Sequence, residues 1–304
     1  MPTSPHGAIR IGLGLVGARD LPGFAAEFDE LLGALDASGI DSLWLSDIAS
    51  KTVVDPTVGS AWAAARTRTL KVGTGVTVLP GRNPMLHAAG LASLAVLAPG
   101  RILPVFGLRA AQPCDRQLHP VPGPLAAVFE ESLVVLRRLL TEDSVTHHGE
   151  FFTLDDATVT PRPARPPDLW LGGRADAGLR RAGRLGDGWL ASFLTPAETA
   201  RARTVIETAA RDAGRRIDDD HYGTNLWVAP PGADLGRARA LAAAQRPDAD
   251  WRDIVGDGWD GVAGLVRRHV DGGLTKFVVR STEPVADWPS FLDRFTAELE
   301  PLEG

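Results

Sequence analysis

The chain has 304 residues, 44% of them hydrophobic and 23% charged, which is enough to bury a large core without the disulfide that its one cysteine, Cys114, could not form alone. A net charge of −6 disfavours nucleic acid as a partner. No apolar run reaches the roughly 18 residues of a membrane span, and the start, Met1 to Gly7, lacks the basic and apolar segments of a signal peptide. A cytoplasmic protein acting on small molecules is the expectation.

Short apolar runs alternate with amphipathic stretches. Residues 9–15 read as a first strand. Phe24, Phe28, Leu31, Leu32 and Leu35 then recur at helical spacing, with Gly39 as the cap. A second strand, Ser42–Leu45, ends at Ser46-Asp47, and Pro56–Arg66 reads as a helix. Residues 70–79 form a Val- and Thr-rich third strand. Asn83-Pro84 predicts an N-cap and first-turn proline opening a buried helix to Ala98. A fourth strand spans 102–106, and a Pro-rich stretch from Pro113 to Pro124 follows.

The next helix places Leu125, Val128, Phe129, Leu136, Leu139 and Leu140 on one face. Residues 144–154, centred on His148-Gly149, read as a hairpin on an inserted loop, with His147 and His148 in solvent. Strands at 169–171 and 188–191 alternate with helices at 175–184 and 196–213. A seventh strand spans 222–228. Helical stretches at about 235–244 and 261–270 precede an eighth at 276–279, and a last helix carries Phe291, Leu292, Phe295 and Leu299. Eight strands with helical crossovers predict a parallel α/β sheet, the (β/α)8 TIM barrel, as one domain over 1–304.

Gly12, Gly14 and Gly17 form G-x-G-x-x-G after the first strand, the spacing of a dinucleotide-binding turn. Asp20, Pro22 and Gly23 interrupt the helix that such a motif should open, and no acidic residue ends the second strand at the expected distance. The alternative is a Gly-rich strand that leaves space inside a barrel.

Barrel enzymes carry their working residues at the C-terminal ends of strands. That rule selects Leu15-Val16, Asp47-Ile48, Val78-Leu79, Gly107-Leu108-Arg109, Gly172-Gly173-Arg174, Ser192 and Arg280-Ser281. In Leu169 to Ala175 a strand runs through two glycines into a helix. The glycines admit a close ligand, the helix start offers free N–H groups, and Arg174 adds a forked donor suited to phosphate. Thr74-Gly75-Val76 lies within the third strand, where glycine marks either a ligand approach or room for a neighbour. Asp47 is either a ligand contact or a cap. Arg109 and Arg280 read as surface ion-pair partners unless an anionic ligand is present. The scattered seven histidines show no metal spacing, and neither G-x-S-x-G nor a Walker loop occurs. Glycines, a phosphate position and no nucleophile fit an enzyme whose cofactor carries the chemistry.

Four blocks resemble the luciferase-like monooxygenase superfamily. They are residues 39–47, residues 70–76 continuing through 79–84, Gly149-Glu150-Phe151-Phe152 with Pro161-Arg162-Pro163, and Trp170 to Gly173 continuing through 184–189. The wording is nearest the F420-dependent oxidoreductase branch. The resemblance implies a barrel with an insertion after the fourth strand, often a homodimer, and coenzyme F420 or FMN at the C-terminal mouth. It implies a non-prolyl cis peptide at Gly75–Val76 behind the ring and the cofactor phosphate at Gly172 to Ala175. The cofactor contacts are then Thr74, Gly75, Val76, Gly107, Arg109, Gly172, Gly173, Arg174 and Ala175, with Asp47 as the catalytic candidate.

Two departures stand out. Ile48 replaces the histidine that many relatives carry after the aspartate, and Val105-Phe106-Gly107 replaces a Gly-x-Gly. Three functions compete: F420-dependent hydride transfer, FMN-dependent monooxygenation, and a cofactor-free binding barrel. The loops at 108–121 and 230–258 carry no motif that names a substrate.

Overall fold

The computed structural model describes residues 7–15, 23–48, 54–109 and 112–303. The first part alternates as β1 (Arg10–Gly14), α1 (Phe24–Ser38), β2 (Ser42–Leu45), α2 (Pro56–Arg66), β3 (Lys71–Thr74), β4 (Thr77–Val78), α3 (Pro84–Leu97), β5 (Ile102–Leu103) and β6 (Val105–Gly107). The middle holds α4 (Leu125–Thr141), β7 (Val145–His148) and β8 (Thr153–Ala157). Alternation resumes with β9 (Trp170–Gly172), α5 (Asp176–Leu185), β10 (Gly188–Ser192), α6 (Pro196–Asp212), β11 (Tyr222–Ala229) and α7 (Leu235–Gln245). It closes with β12 (Val255–Asp257), α8 (Gly258–Asp271), β13 (Lys276–Ser281) and α9 (Trp288–Leu299). No described helix is long and apolar enough to cross a membrane.

Local chemistry places the helix starts. Asn83 Oδ1 accepts from the N–H groups of Met85 and Leu86, and Asp55 does the same for Thr57 and Val58, each ahead of a proline that needs no donor. Gly39 ends α1 at φ 79°, a left-handed turn that glycine adopts without strain.

One curled parallel sheet runs β4-β6-β9-β10-β11-β13-β1-β2-β3-β5, with β12 beside β11. The predicted third strand is interrupted at Gly75–Val76, a cis peptide as the resemblance implied. The predicted fourth is interrupted at Pro104, which has no N–H to give to a ladder. The Thr74 hydroxyl bridges this break, accepting from Val105 N at 3.1 Å and donating to Val105 O at 3.3 Å. Both ends of the strand order are therefore consecutive pieces of chain. β12 was not anticipated, because three residues show no periodicity.

The larger apolar core lies between sheet and helices. A smaller one, formed by Trp44, Val105, Trp170, Leu190 and Val278, fills the inside of the curl. Its indoles need glycine neighbours: a Cβ at Gly12 would lie 2.7 Å from Trp44 Nε1, and one at Gly73 2.4 Å from the Trp44 ring. Gly14 gives the same room to Arg280, at 2.5 Å from its Cγ. The first two glycines of the apparent dinucleotide motif thus serve packing. Gly17, Val16, Asp20 and Pro22 lie outside the described residues.

At the N-terminal end of the sheet, Asp41 pairs with Lys276 and, at 3.0 Å, with Lys71. It also accepts from Ser42 Oγ, which in turn accepts from Trp44 Nε1. Burial alone would raise the Asp41 carboxyl, but the two ammonium groups hold it down at about 2.

The antiparallel pair β7–β8 stands apart from the main sheet. Its turn is fastened to α4, where the Glu131 carboxylate accepts from the N–H groups of Glu150, Phe151 and Phe152. His147 is half-buried against the same carboxylate at 3.1 Å rather than free in solvent, whereas His148 is exposed beside Asp155. Gly149 makes room for this arrangement, since a Cβ there would lie 2.0 Å from Glu131 Oε1.

Candidate functional site

The C-terminal ends of the strands form a mouth centred on Val76. A Cβ at Gly107 would lie 2.3 Å from Val76 Cγ2, and one at Gly172 2.9 Å from Val76 Cγ1. Neither neighbour can carry a side chain without displacing this valine. Gly75, Val76, Gly107 and Gly172, four of the predicted contacts, therefore form one ledge around a single isopropyl group, with Gly75 and Gly172 partly exposed and Gly107 buried behind Val76.

Arg280 lies beneath the ledge rather than in the surface ion pair expected for it. It is buried, 5% exposed, and belongs to no ion pair among the described residues. Burial alone pushes its guanidinium down to about 10. Nε donates to Asn225 Oδ1 at 3.2 Å and Nη1 to Leu15 O at 2.9 Å, while Nη2 is buried with no acceptor among the described residues. The Gly75 Cβ position is 3.2 Å from that Nη2. Sequence reasoning missed Asn225, although an Asn amid the apolar residues of the seventh strand was a usable signal.

Beside the ledge, Gly173 takes φ 116°, and its carbonyl accepts from Trp189 Nε1 at 2.7 Å. Helix α5 follows, with Ala175 as N-cap and no side-chain cap, so its first N–H groups keep their donor capacity. Asp176, in the first turn, is drawn aside by Arg201 at 2.9 Å. Arg174 is exposed, its Nη2 3.3 Å from Gln245 O, and Arg109 is exposed at the rim.

Asp47 adjoins the ledge, its N–H donating to Val76 O at 3.4 Å, and Thr74 directly precedes it in the chain. Asp47 Oδ2 accepts from Val78 N at 3.0 Å and Arg82 Nη2 at 2.7 Å, which ties the end of β2 to the segment after the ledge. Thr74 lines a cavity of about 340 Å³ between α2 and α3, with Arg82, Asn83 and His87. His87 packs edge-on to Phe106, and burial with the nearby Arg82 pushes its pKa down to about 4, so it is neutral at neutral pH.

The mouth wall after β10 carries Phe193 at φ 56°, stacked on Trp227 at 6.2 Å. Arg246 latches it, donating to Phe193 O at 2.8 Å and to the carboxylates of Glu198 and Asp248. Ser192 supports Asn225 from the same strand end at 3.1 Å.

The family model for luciferase-like monooxygenases matches residues 16–263. An F420-dependent glucose-6-phosphate dehydrogenase of Kineococcus radiotolerans is 28% identical over an alignment covering 98% of each chain. Among solved structures, an F420-dependent secondary alcohol dehydrogenase in complex with an F420-acetone adduct is similar at TM-score 0.80 and 20% identity, over 97% of this chain and 99% of that one. The FMN complex of a type II Baeyer-Villiger monooxygenase from the CAM plasmid of Pseudomonas putida is similar at TM-score 0.74 and 18% identity, over 97% and 98%.

Proposed function

The chain belongs to the luciferase-like monooxygenase family, and we propose that it is an F420-dependent oxidoreductase moving a hydride between the deazaflavin and a small organic substrate. The carrying observation is the ledge, where glycines at 75, 107 and 172 leave Val76 as the only side chain of the four and a buried N–H without a partner among the described residues lies below. A flat ring needs such a cradle. The F420-dependent relative aligned end to end supports the same choice.

Bound F420 supplies a two-electron hydride carrier, and the protein's own groups bind and orient it. Val76 backs the ring, Gly172 lets it approach, and Gly107 leaves room for Val76 from behind. The start of α5, from Gly172 through Ala175, receives the phosphate on free N–H groups and a positive dipole end, with Arg174 and Arg109 adding positive charge nearby. Asp47 acts as a positioning residue through Val78 and Arg82, and Thr74 holds the fourth strand from behind. Stacked Phe193 and Trp227 exclude water on the far wall.

The architecture we assign is a closed (β/α)8 barrel in one domain, 1–304, with α4 as the crossover after the fourth strand and the β7–β8 hairpin inserted behind it. A cytoplasmic setting fits the single free cysteine. The second reading, an FMN-dependent monooxygenase, is favoured by the fold shared with the FMN complex. Fluorescence titration of the purified protein with F420 and with FMN separates them. Saturable F420 binding without an FMN response is expected; the reverse overturns the proposal, and failure of both cofactors favours a binding barrel.

We also propose a homodimer through α2 and α3, which leave Val58, Trp62, Leu86 and Leu97 in water at 61%, 40%, 74% and 79% exposure. Fully burying such a side chain contributes about 1.5–3 kcal/mol, so covering these partly exposed ones contributes a fraction of that each. Light scattering should give twice the 32.2 kDa chain mass, falling to one chain in L86E/L97E. A wild-type mass of one chain rules the dimer out.

A further inference from the structure

A guanidinium buried without a counter-ion is among the least favourable groups a protein interior can hold. Among the described residues Arg280 is such a group, and its surroundings are arranged to keep it. Gly14 vacates the volume its stem occupies. Asn225 Nδ2 donates to Ala191 O at 2.9 Å and Ser192 Oγ at 3.1 Å, which turns Asn225 Oδ1 toward Arg280 Nε. The Leu15 carbonyl takes Nη1. Both anchors are neutral, so they fix the direction of the fork without cancelling its charge. Among the described residues Nη2 alone is left over, and it lies under Gly75 at the floor of the ledge.

We propose that Arg280 stabilises the negative charge that the bound ring acquires on two-electron reduction, so that the site holds the reduced cofactor more tightly than the oxidised one. The inference rests on the F420 reading and adds a function for a residue outside the ledge. The balance is simple. A substrate C–H bond would break, its hydrogen leaving with both electrons, while the neighbouring heteroatom releases its proton to solvent and forms the new double bond to that carbon, oxidising the substrate. The ring accepts that hydride and gains one negative charge, spread over its pyrimidine portion. The guanidinium offsets this charge through an N–H and keeps its own proton.

The test measures dissociation constants for oxidised and reduced F420, anaerobically, on the wild type, R280M and N225D. In N225D the guanidinium stays and a carboxylate is placed 3.2 Å from Nε, in the position of the present Oδ1. A purely structural arginine would tolerate or welcome that partner. The wild type is expected to prefer reduced cofactor at least tenfold, and both variants to lose that preference. Tenfold in this ratio is about 30 mV in the two-electron potential. Circular dichroism and a melting curve check folding, and if R280M does not fold, N225D decides. An unchanged ratio, or equal weakening of both redox forms, overturns the role of Arg280 and leaves the F420 reading standing. If FMN binds in place of F420, the F420 reading falls and the same ratio with oxidised and reduced FMN decides the inference. A wild type that binds neither cofactor overturns both.

Discussion

Asp41→Asn is expected to destabilise the protein by about 3–5 kcal/mol, because it leaves the Lys276 ammonium buried at 9% exposure without its charge partner. The loss reaches further than one pair. The same carboxylate receives Lys71 and the Ser42 hydroxyl, and Ser42 holds the indole N–H of Trp44 inside the sheet. Urea unfolding followed by tryptophan fluorescence measures it. The pH dependence gives a second check. Asp41 titrates at about 2 in the folded chain against an ordinary 3.8, so its contribution is fully present above about pH 4 and is lost as pH falls toward 2. That difference corresponds to about 2–3 kcal/mol. The gap between wild type and Asp41→Asn should therefore be widest near neutrality and close below pH 4. A gap that is constant from pH 7 to pH 2.5 would contradict the assignment.

Gly107→Val is expected to be the most damaging single change at the mouth. The new Cβ would fall 2.3 Å from Val76 Cγ2 and 3.2 Å from Val76 Cβ, and the neighbour is a short branched side chain on a constrained backbone. Overpacking of this kind costs about 1–3 kcal/mol. Displacement of Val76 should weaken F420 binding at least tenfold, about 1.4 kcal/mol. Val76→Ala in the same chain should recover part of both losses, because the two residues are in contact and their effects do not add. Gly33→Ala is the control: nothing lies within 4 Å of its Cβ position, so melting temperature and affinity should hold or rise slightly. If Gly107→Val binds cofactor as the wild type does, Val76 does not back the ring.

Much of the fold was legible because caps and periodicities are local. Asn83-Pro84 and Pro56 announced their helices, and Ser42–Leu45 was readable to the residue. The break at Gly75–Val76 was legible through the resemblance, whereas that at Pro104 was hidden inside a run that looks continuous, although a proline in mid-strand carried the warning. The ledge glycines were legible as a set through family wording, and the structure supplied their common partner, Val76. What stayed hidden depends on partners distant in sequence. Asp47 meets Arg82 35 positions later, His147 meets Glu131 16 positions earlier, and Arg280 meets Leu15 265 positions away. A strand-end arginine looks exposed until the chain that covers it is known.

Lys276, Val278 and Arg280 alternate along β13 toward the inside of the curl, with Val278 in the inner core between the two cations. The lower cation is matched by Asp41, while the upper one has no anion among the described residues. One strand thereby makes the lumen electrically lopsided along its axis. Negative charge arriving from the mouth meets an open attraction, and charge arriving from the opposite end meets one already satisfied. A one-residue slip of β13 would turn both cations to the helix side and erase this polarity, so the register of a single strand sets the direction from which an anion can be received.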